Sequence, residues 1–146
     1  MIMKQFARSN LGVTLLEIML VLAIASMVIV MSIRYYQSAS SNQQATNAIQ
    51  GIQGIIAAMD NLGMNGGYTN VTTADLTSVV GANNMRTPTN ALYTVTGNTA
   101  TTYVLTAPLN GTICPNVMAK LRNNAKITVP DCSATGTLTF TYDSTR

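Results

Sequence analysis

The order of apolar and polar residues changes period twice along the chain. Residues 13–33 read VTLLEIMLVLAIASMVIVMSI, with Glu17 as the one charged position. At helical rise, about 21 residues reach roughly 30 Å, the thickness of a bilayer core. Beyond this run the apolar positions spread out. Ala45, Ala48, Ile49, Ile52, Ile55, Ile56, Met59 and Leu62 recur at steps of three and four, with Asn47, Gln50, Gln53 and Asp60 between them. That spacing predicts an amphipathic helix with one face to bury. The first proline is Pro88, so 13–62 is expected as one helix of roughly 75 Å. Gly51 and Gly54 weaken it, each by about 1 kcal/mol relative to alanine. Two roles are open for them: close packing against a neighbour, or local softening of the helix.

The segment Gly63-Met64-Asn65-Gly66-Gly67 stops the helix and opens a loop. Residues 73–80 suit a short helix capped by Thr72 or Thr73. The period then falls to two. Residues 91–96 and 101–107 alternate apolar residues with threonine around Gly97-Asn98 and are expected to form a hairpin. Residues 115–124 suit a second short helix with proline in its first turn. Residues 125–129 and 137–142 supply two more strands. The expected fold class is α+β, a long N-terminal α-helix over about 13–62 packed on a small antiparallel β-sheet. Four segments follow: a leader at 1–12, an apolar helix at 13–33, its amphipathic continuation at 34–62, and a globular head at 63–146. The threonine-rich strand faces are expected to be solvated.

Composition locates the apolar content. Hydrophobic residues make up 47% of the chain but charged residues only 9% and aromatics 5%, so the apolar residues are concentrated in the N-terminal run rather than in a large core. The net charge is +3; without Lys4 and Arg8 of the leader, six basic residues face five acidic ones. The run from Lys120 to Lys126 is too sparse for a nucleic-acid footprint, and no specific nucleic acid is expected as partner. With no histidine and only Cys114 and Cys132 as cysteines, Ser/His/Asp and Cys/His catalysis, histidine metal sites and four-ligand zinc sites are excluded. Asp75, Asp131 and Asp143 are far apart and suit caps or loops. Neither an enzyme nor a cofactor is expected.

The leader MIMKQFARSNLG is short and basic and ends in Gly12. A secretory signal places its small cleavage residue after the apolar stretch; here Gly12 comes before it. A plain single-pass anchor, held by Lys4 and Arg8 on the cytoplasmic side, accounts for this topology. It does not account for Glu17, since a carboxylate in an apolar segment costs a few kcal/mol and usually has a partner or a task. Interfacial snorkelling is the plainer account of Glu17. Tyr35 and Tyr36, after Arg34, suit an interfacial belt or ordinary packing. Cys114 and Cys132 suit either a disulfide or two unpaired buried thiols. The topology puts the head in an oxidising compartment, which favours the disulfide. It would close a loop of about 19 residues and add roughly 3 kcal/mol in the chain-entropy model.

Gly12-Val13-Thr14-Leu15-Leu16-Glu17, followed by an unbroken apolar run, resembles the class III signal of type IV pilins. The resemblance implies a prepilin peptidase that cuts after Gly12 and N-methylates Val13. Glu17 is then the fifth residue of the mature chain. Val13 in place of the more usual phenylalanine looks like the type IVb branch. Ile18, Leu20, Leu22, Ile24, Val28 and Val30 would belong to a helix that crosses the inner membrane before assembly and enters a filament core afterwards. The family places the amine of an incoming subunit against the glutamate of a neighbour, which would set the axial register and offset two desolvation costs. It also carries a C-terminal cysteine pair bounding a surface region. Many relatives have a proline in the apolar half of the helix; this chain has none. The implied partners are further copies of the chain, through their N-terminal helices, the prepilin peptidase, the inner-membrane assembly machinery and the inner membrane. The implied localisation is the bacterial inner membrane, head in the periplasm, and then an extracellular pilus. A minor pilin or a type II secretion pseudopilin shares Gly12 and Glu17. Pseudopilins often bind calcium and lack the cysteines. A monomeric membrane-anchored binding domain is a more distant alternative.

Overall fold

A computed structural model of the chain describes residues 14–64 and 66–146. The chain divides into two compact units, Met1–Ser38 and Ala39–Arg146. Helix α1 (Leu15–Gly63) contributes to both. The fold class is α+β, as expected from the periodicity.

The second unit is the head. Its strands β1 (Thr94–Thr96), β2 (Thr102–Pro108), β3 (Ile127–Cys132) and β4 (Thr137–Asp143) form one antiparallel sheet in the order β1-β2-β4-β3. The α1 segment from Ala39 buries Ala45, Ala48, Ile52, Ile55, Ala58 and Met59 in the head core. Ile49, Ile56 and Leu62, from the same sequence stripe, lie half-buried at its margin. Opposite them stand Tyr103, Leu105 and Ala107 of β2 and Leu138, Phe140 and Tyr142 of β4. The register sets Leu105 beside Phe140 and Tyr103 beside Tyr142. Burial of each fully enclosed isoleucine or leucine contributes about 1.5–3 kcal/mol. Threonines occupy the other face, with cross-strand pairs Thr94–Thr106 and Thr106–Thr139. These threonines are half-buried rather than fully solvated, because each is flanked by its strand neighbours.

Helix α2 (Thr73–Val80) opens on a complete capping box. The Thr72 hydroxyl accepts from the Asp75 N–H at 3.2 Å, and the Asp75 carboxylate accepts from the Thr72 N–H at 2.9 Å. Of the two caps open in the sequence, Thr72 is the one used. Helix α3 (Cys114–Leu121) carries proline in its first turn.

Two strands differ from expectation. Strand β1 is confined to Thr94–Thr96 because the preceding residues turn back on the loop before them. Leu92 bridges Arg86, and the Tyr93 N–H donates to the Met85 carbonyl at 3.0 Å. Strand β3 runs on through Pro130 to Cys132, with a register shift between Thr128 and Asp131. Proline has no N–H to offer a ladder, and an edge strand with an irregularity is where a sheet tolerates it.

The two glycines of α1 differ. A Cβ on Gly51 would lie 3.0 Å from the Tyr93 hydroxyl, so close packing accounts for it. A Cβ on Gly54 would meet nothing within 4 Å. The helix therefore bears the cost of Gly54, about 1 kcal/mol, with no packing return inside this chain.

Candidate functional site

In the first unit the chemistry-bearing residue is Glu17. Thr14 precedes the helix, and its Oγ1 accepts from the Glu17 N–H at 3.3 Å, while its carbonyl accepts from Ile18 at 3.2 Å. This is the hydroxyl half of a capping box, and it places a carboxylate in the first turn of α1, where the helix dipole favours negative charge. The T-x-x-E spacing was present in the sequence as a signal for this cap. The cap bond is made by the Glu17 backbone N–H, so what favours the carboxylate itself is its place in the first turn.

Beyond Glu17 the helix surface is apolar all round. Ile18, Leu20, Leu22, Ile24, Val28 and Val30 are each 50–62% exposed. An 18-residue window of this helix has a mean hydropathy of 2.6, with none of it buried within the chain. The helix is thus long and apolar enough to cross a membrane by length and composition. Its serines are satisfied internally: Ser26 donates to the Ala23 carbonyl and Ser32 to the Val28 carbonyl, both at 2.8 Å. Hydroxyls closed on their own helix carry little penalty in an apolar medium. Tyr35 and Tyr36 are 79% and 74% exposed, so the packing alternative for them is not realised within the chain. Gly12 and Val13, the expected cleavage and methylation positions, lie outside the described residues, as does the leader.

In the head, Cys114 and Cys132 form a disulfide between the start of α3 and the end of β3. The thiol alternative is thereby excluded. The bond ties an edge strand to the helix that covers it.

A second tie was not legible in the sequence. Asp60, read there as part of the polar face of α1, is half-buried. Its carboxylate accepts from the Tyr68 hydroxyl at 2.7 Å and the Tyr142 hydroxyl at 3.2 Å. Tyr103 packs edge-on against Tyr68 and stacks on Tyr142, with ring centroids 4.9 and 5.0 Å away. Burial, and then the Asp60 hydrogen bond and charge, push the Tyr68 phenol up to about 12. Burial and the Asp60 charge do the same for Tyr142, to about 12. Burial raises Tyr103 further. At neutral pH all three phenols stay protonated, and the cluster clamps the end of α1 to the sheet.

A groove of about 350 Å³ lies in the head between α1 and the loop after α2, with Asn47, Gly51 and Gly54 on one wall and Asn83, Asn84 and Arg86 on the other. Arg86 uses Nη1 to reach the Asn90 carbonyl at 3.0 Å. No carboxylate lines this groove. Among the described residues, no three His, Cys, Asp or Glu side chains come together.

Comparison with protein-family models, curated proteins and solved structures finds no match for the chain.

Proposed function

We propose that the chain is a structural subunit of a bacterial type IV pilus. On this reading it is exported through the inner membrane with its head in the periplasm, cleaved after Gly12, N-methylated at Val13 and polymerised through its N-terminal helix. The observation that carries the proposal is a bilayer-length helix with no apolar partner among the described residues and one carboxylate, Glu17, in its first turn. So much exposed apolar surface needs lipid or other helices around it. A carboxylate beside a newly freed amine at Val13 gives the two charges a reason to be retained together. The head disulfide supports an oxidising compartment and is the feature pseudopilins lack. Tyr35 and Tyr36 suit the membrane interface on this reading. The partners it entails are the prepilin peptidase, the assembly machinery and other copies of the chain; its role is structural, not catalytic.

One observation favours a second reading. Glu17 stands in the first turn of α1, where the helix dipole favours a carboxylate without a partner chain, as a monomeric membrane-anchored domain would require. Intact-mass and N-terminal analysis of a sheared extracellular fraction from the native host separates the two. A chain beginning at methylated Val13 is the expected result. A chain beginning at Met1 and confined to membranes would favour the anchored monomer.

A further inference from the structure

Three features of the head have no packing or ionic partner among the described residues. The first is Gly54, an exposed glycine in the middle of a helix with open space above it. Glycine there weakens the helix, and the usual compensation is the close approach of another backbone or a ligand. The second is Arg86, whose guanidinium projects from the wall of the same groove and makes no ion pair among the described residues. The third is Asp131. Of the head carboxylates, Asp60 is met by two tyrosines, Asp75 by Thr72 and Asp143 by Thr145. The Asp131 carboxylate is exposed and has no hydrogen bond or ion pair among the described residues.

Asp131 lies on the β3 edge of the sheet, and Arg86 lies in the loop bridged to Leu92, ahead of β1 on the opposite edge. Asp131 pairs with Thr139, Thr139 with Thr106, and Thr106 with Thr94, so one row crosses all four strands. Arg86 bridges Leu92, two residues before Thr94 on the far edge. The turn beside Asp131, residues 133–136, is uncharged. Lys126 precedes the other end of β3, roughly 16 Å along the strand from Asp131. The groove face is also free of charge repulsion, since residues 35–59 of α1 carry no charge.

We propose that the β3 edge of one copy seats Asp131 in the Gly54 groove of a second copy, where it pairs with Arg86. The contact rests on the filament reading above and names the surface by which neighbouring heads meet. It joins two different surfaces, so it is heterologous and leaves a free groove at one end and a free Asp131 at the other. Such a contact propagates instead of closing into a dimer. The absence of a Cβ at Gly54 lets the incoming strand edge approach α1, and the bidentate fork of Arg86 gives the carboxylate a defined seat.

The test is a charge exchange in the full chain, expressed in the native host. Wild type, Arg86→Glu, Asp131→Arg and the double variant are compared for sheared filament yield, with protease resistance of the head as the folding control. Each single variant is expected to lose about tenfold or more in filament yield, because like charges then face each other across the contact. The double variant is expected to recover to within about twofold of wild type on the same reasoning. Gly54→Leu, whose Cβ has no heavy atom of its own chain within 4 Å, is expected to keep the head folded, read by the same protease control, and to lower the yield. Single variants that assemble as wild type does, or a double variant no better than the singles, would overturn the contact while leaving the filament reading intact. A wild-type chain that reaches the membrane and forms no filament would sink the filament reading and the contact with it.

Discussion

Gly51 and Gly54 sit three residues apart on one helix, and the same substitution at each is expected to move stability in opposite directions. Glycine to alanine in a helix interior gains about 1 kcal/mol from backbone entropy and solvation. At Gly54 nothing opposes that gain, since the added methyl meets no heavy atom within 4 Å. Gly54→Ala is therefore expected to stabilise the head by up to about 1 kcal/mol, or roughly 4–6 °C in Tm for a domain of this size. At Gly51 the methyl would lie 3.0 Å from the Tyr93 hydroxyl and 3.4 Å from the ring edge. Tyr93 is fully buried, and its hydroxyl is within 3.4 Å of the Ala48 carbonyl. Overpacking a core in this way costs about 1–3 kcal/mol, which offsets or exceeds the helix gain. The expected net for Gly51→Ala runs from no change to a loss of about 2 kcal/mol. The gap between the variants, about 1–3 kcal/mol, isolates the contact because helix propensity cancels. Thermal unfolding of the full chain in detergent, followed by near-ultraviolet circular dichroism of the tyrosines, measures it. Equal stabilisation by both alanines would mean that Tyr93 yields freely, and the close-packing account of Gly51 would be wrong.

Asp60→Ala strands the Tyr68 and Tyr142 hydroxyls. At about 1.5–3 kcal/mol per hydrogen bond to a charged group, less for partial exposure, the loss should be about 2–4 kcal/mol; urea denaturation showing under about 0.5 kcal/mol would remove the clamp from the account of stability. Cys114→Ser is expected to cost roughly 3 kcal/mol and to make the segment between the cysteines protease-sensitive, and unchanged resistance would mean that the bond is not needed to hold α3 on β3. The phenols of Tyr68, Tyr93 and Tyr142 are raised from 10.0 to about 12 in the folded head, chiefly by burial. A raised folded pKa contributes stability that is whole below pH 10 and lost as the pH climbs through 12. Unfolding free energies that stay level between pH 9 and pH 12 would contradict that burial.

Much of the architecture was legible because it depends on local periods. The α1 stripe from Ala45 to Met59, the Thr72 cap, the turn after Gly63 and the alternation in β2 and β4 each involve residues within a few positions of one another, and a period of 3.6 or 2 announces which face is buried. The T-x-x-E spacing at Thr14 and Glu17 is equally local, but it was not taken as a cap from the sequence. What was misplaced depended on distant partners. Asp60 looked like a solvent-face residue because Tyr142 lies 82 positions away, and its burial is decided by where β4 comes to rest. Strand β1 fell short of its alternating run because Met85 and Arg86 compete for the same backbone groups.

For this chain the sequence by itself determined the long helix, its apolar N-terminal stretch, the position of Glu17, the α+β class and a cysteine pair suited to bonding. These follow from composition and short spacings, which need no knowledge of what lies across the core. Only the tertiary structure decided the strand order β1-β2-β4-β3, the joining of Cys114 to Cys132, the clamp at Asp60, the difference between Gly51 and Gly54, and the placing of Asp131 on the β3 edge and of Arg86 in the loop bridged ahead of β1. Each is a relation between segments far apart in the chain. Chain-local propensity carries no information about such relations, which are set by how the burial of one α1 face and one sheet face is satisfied together.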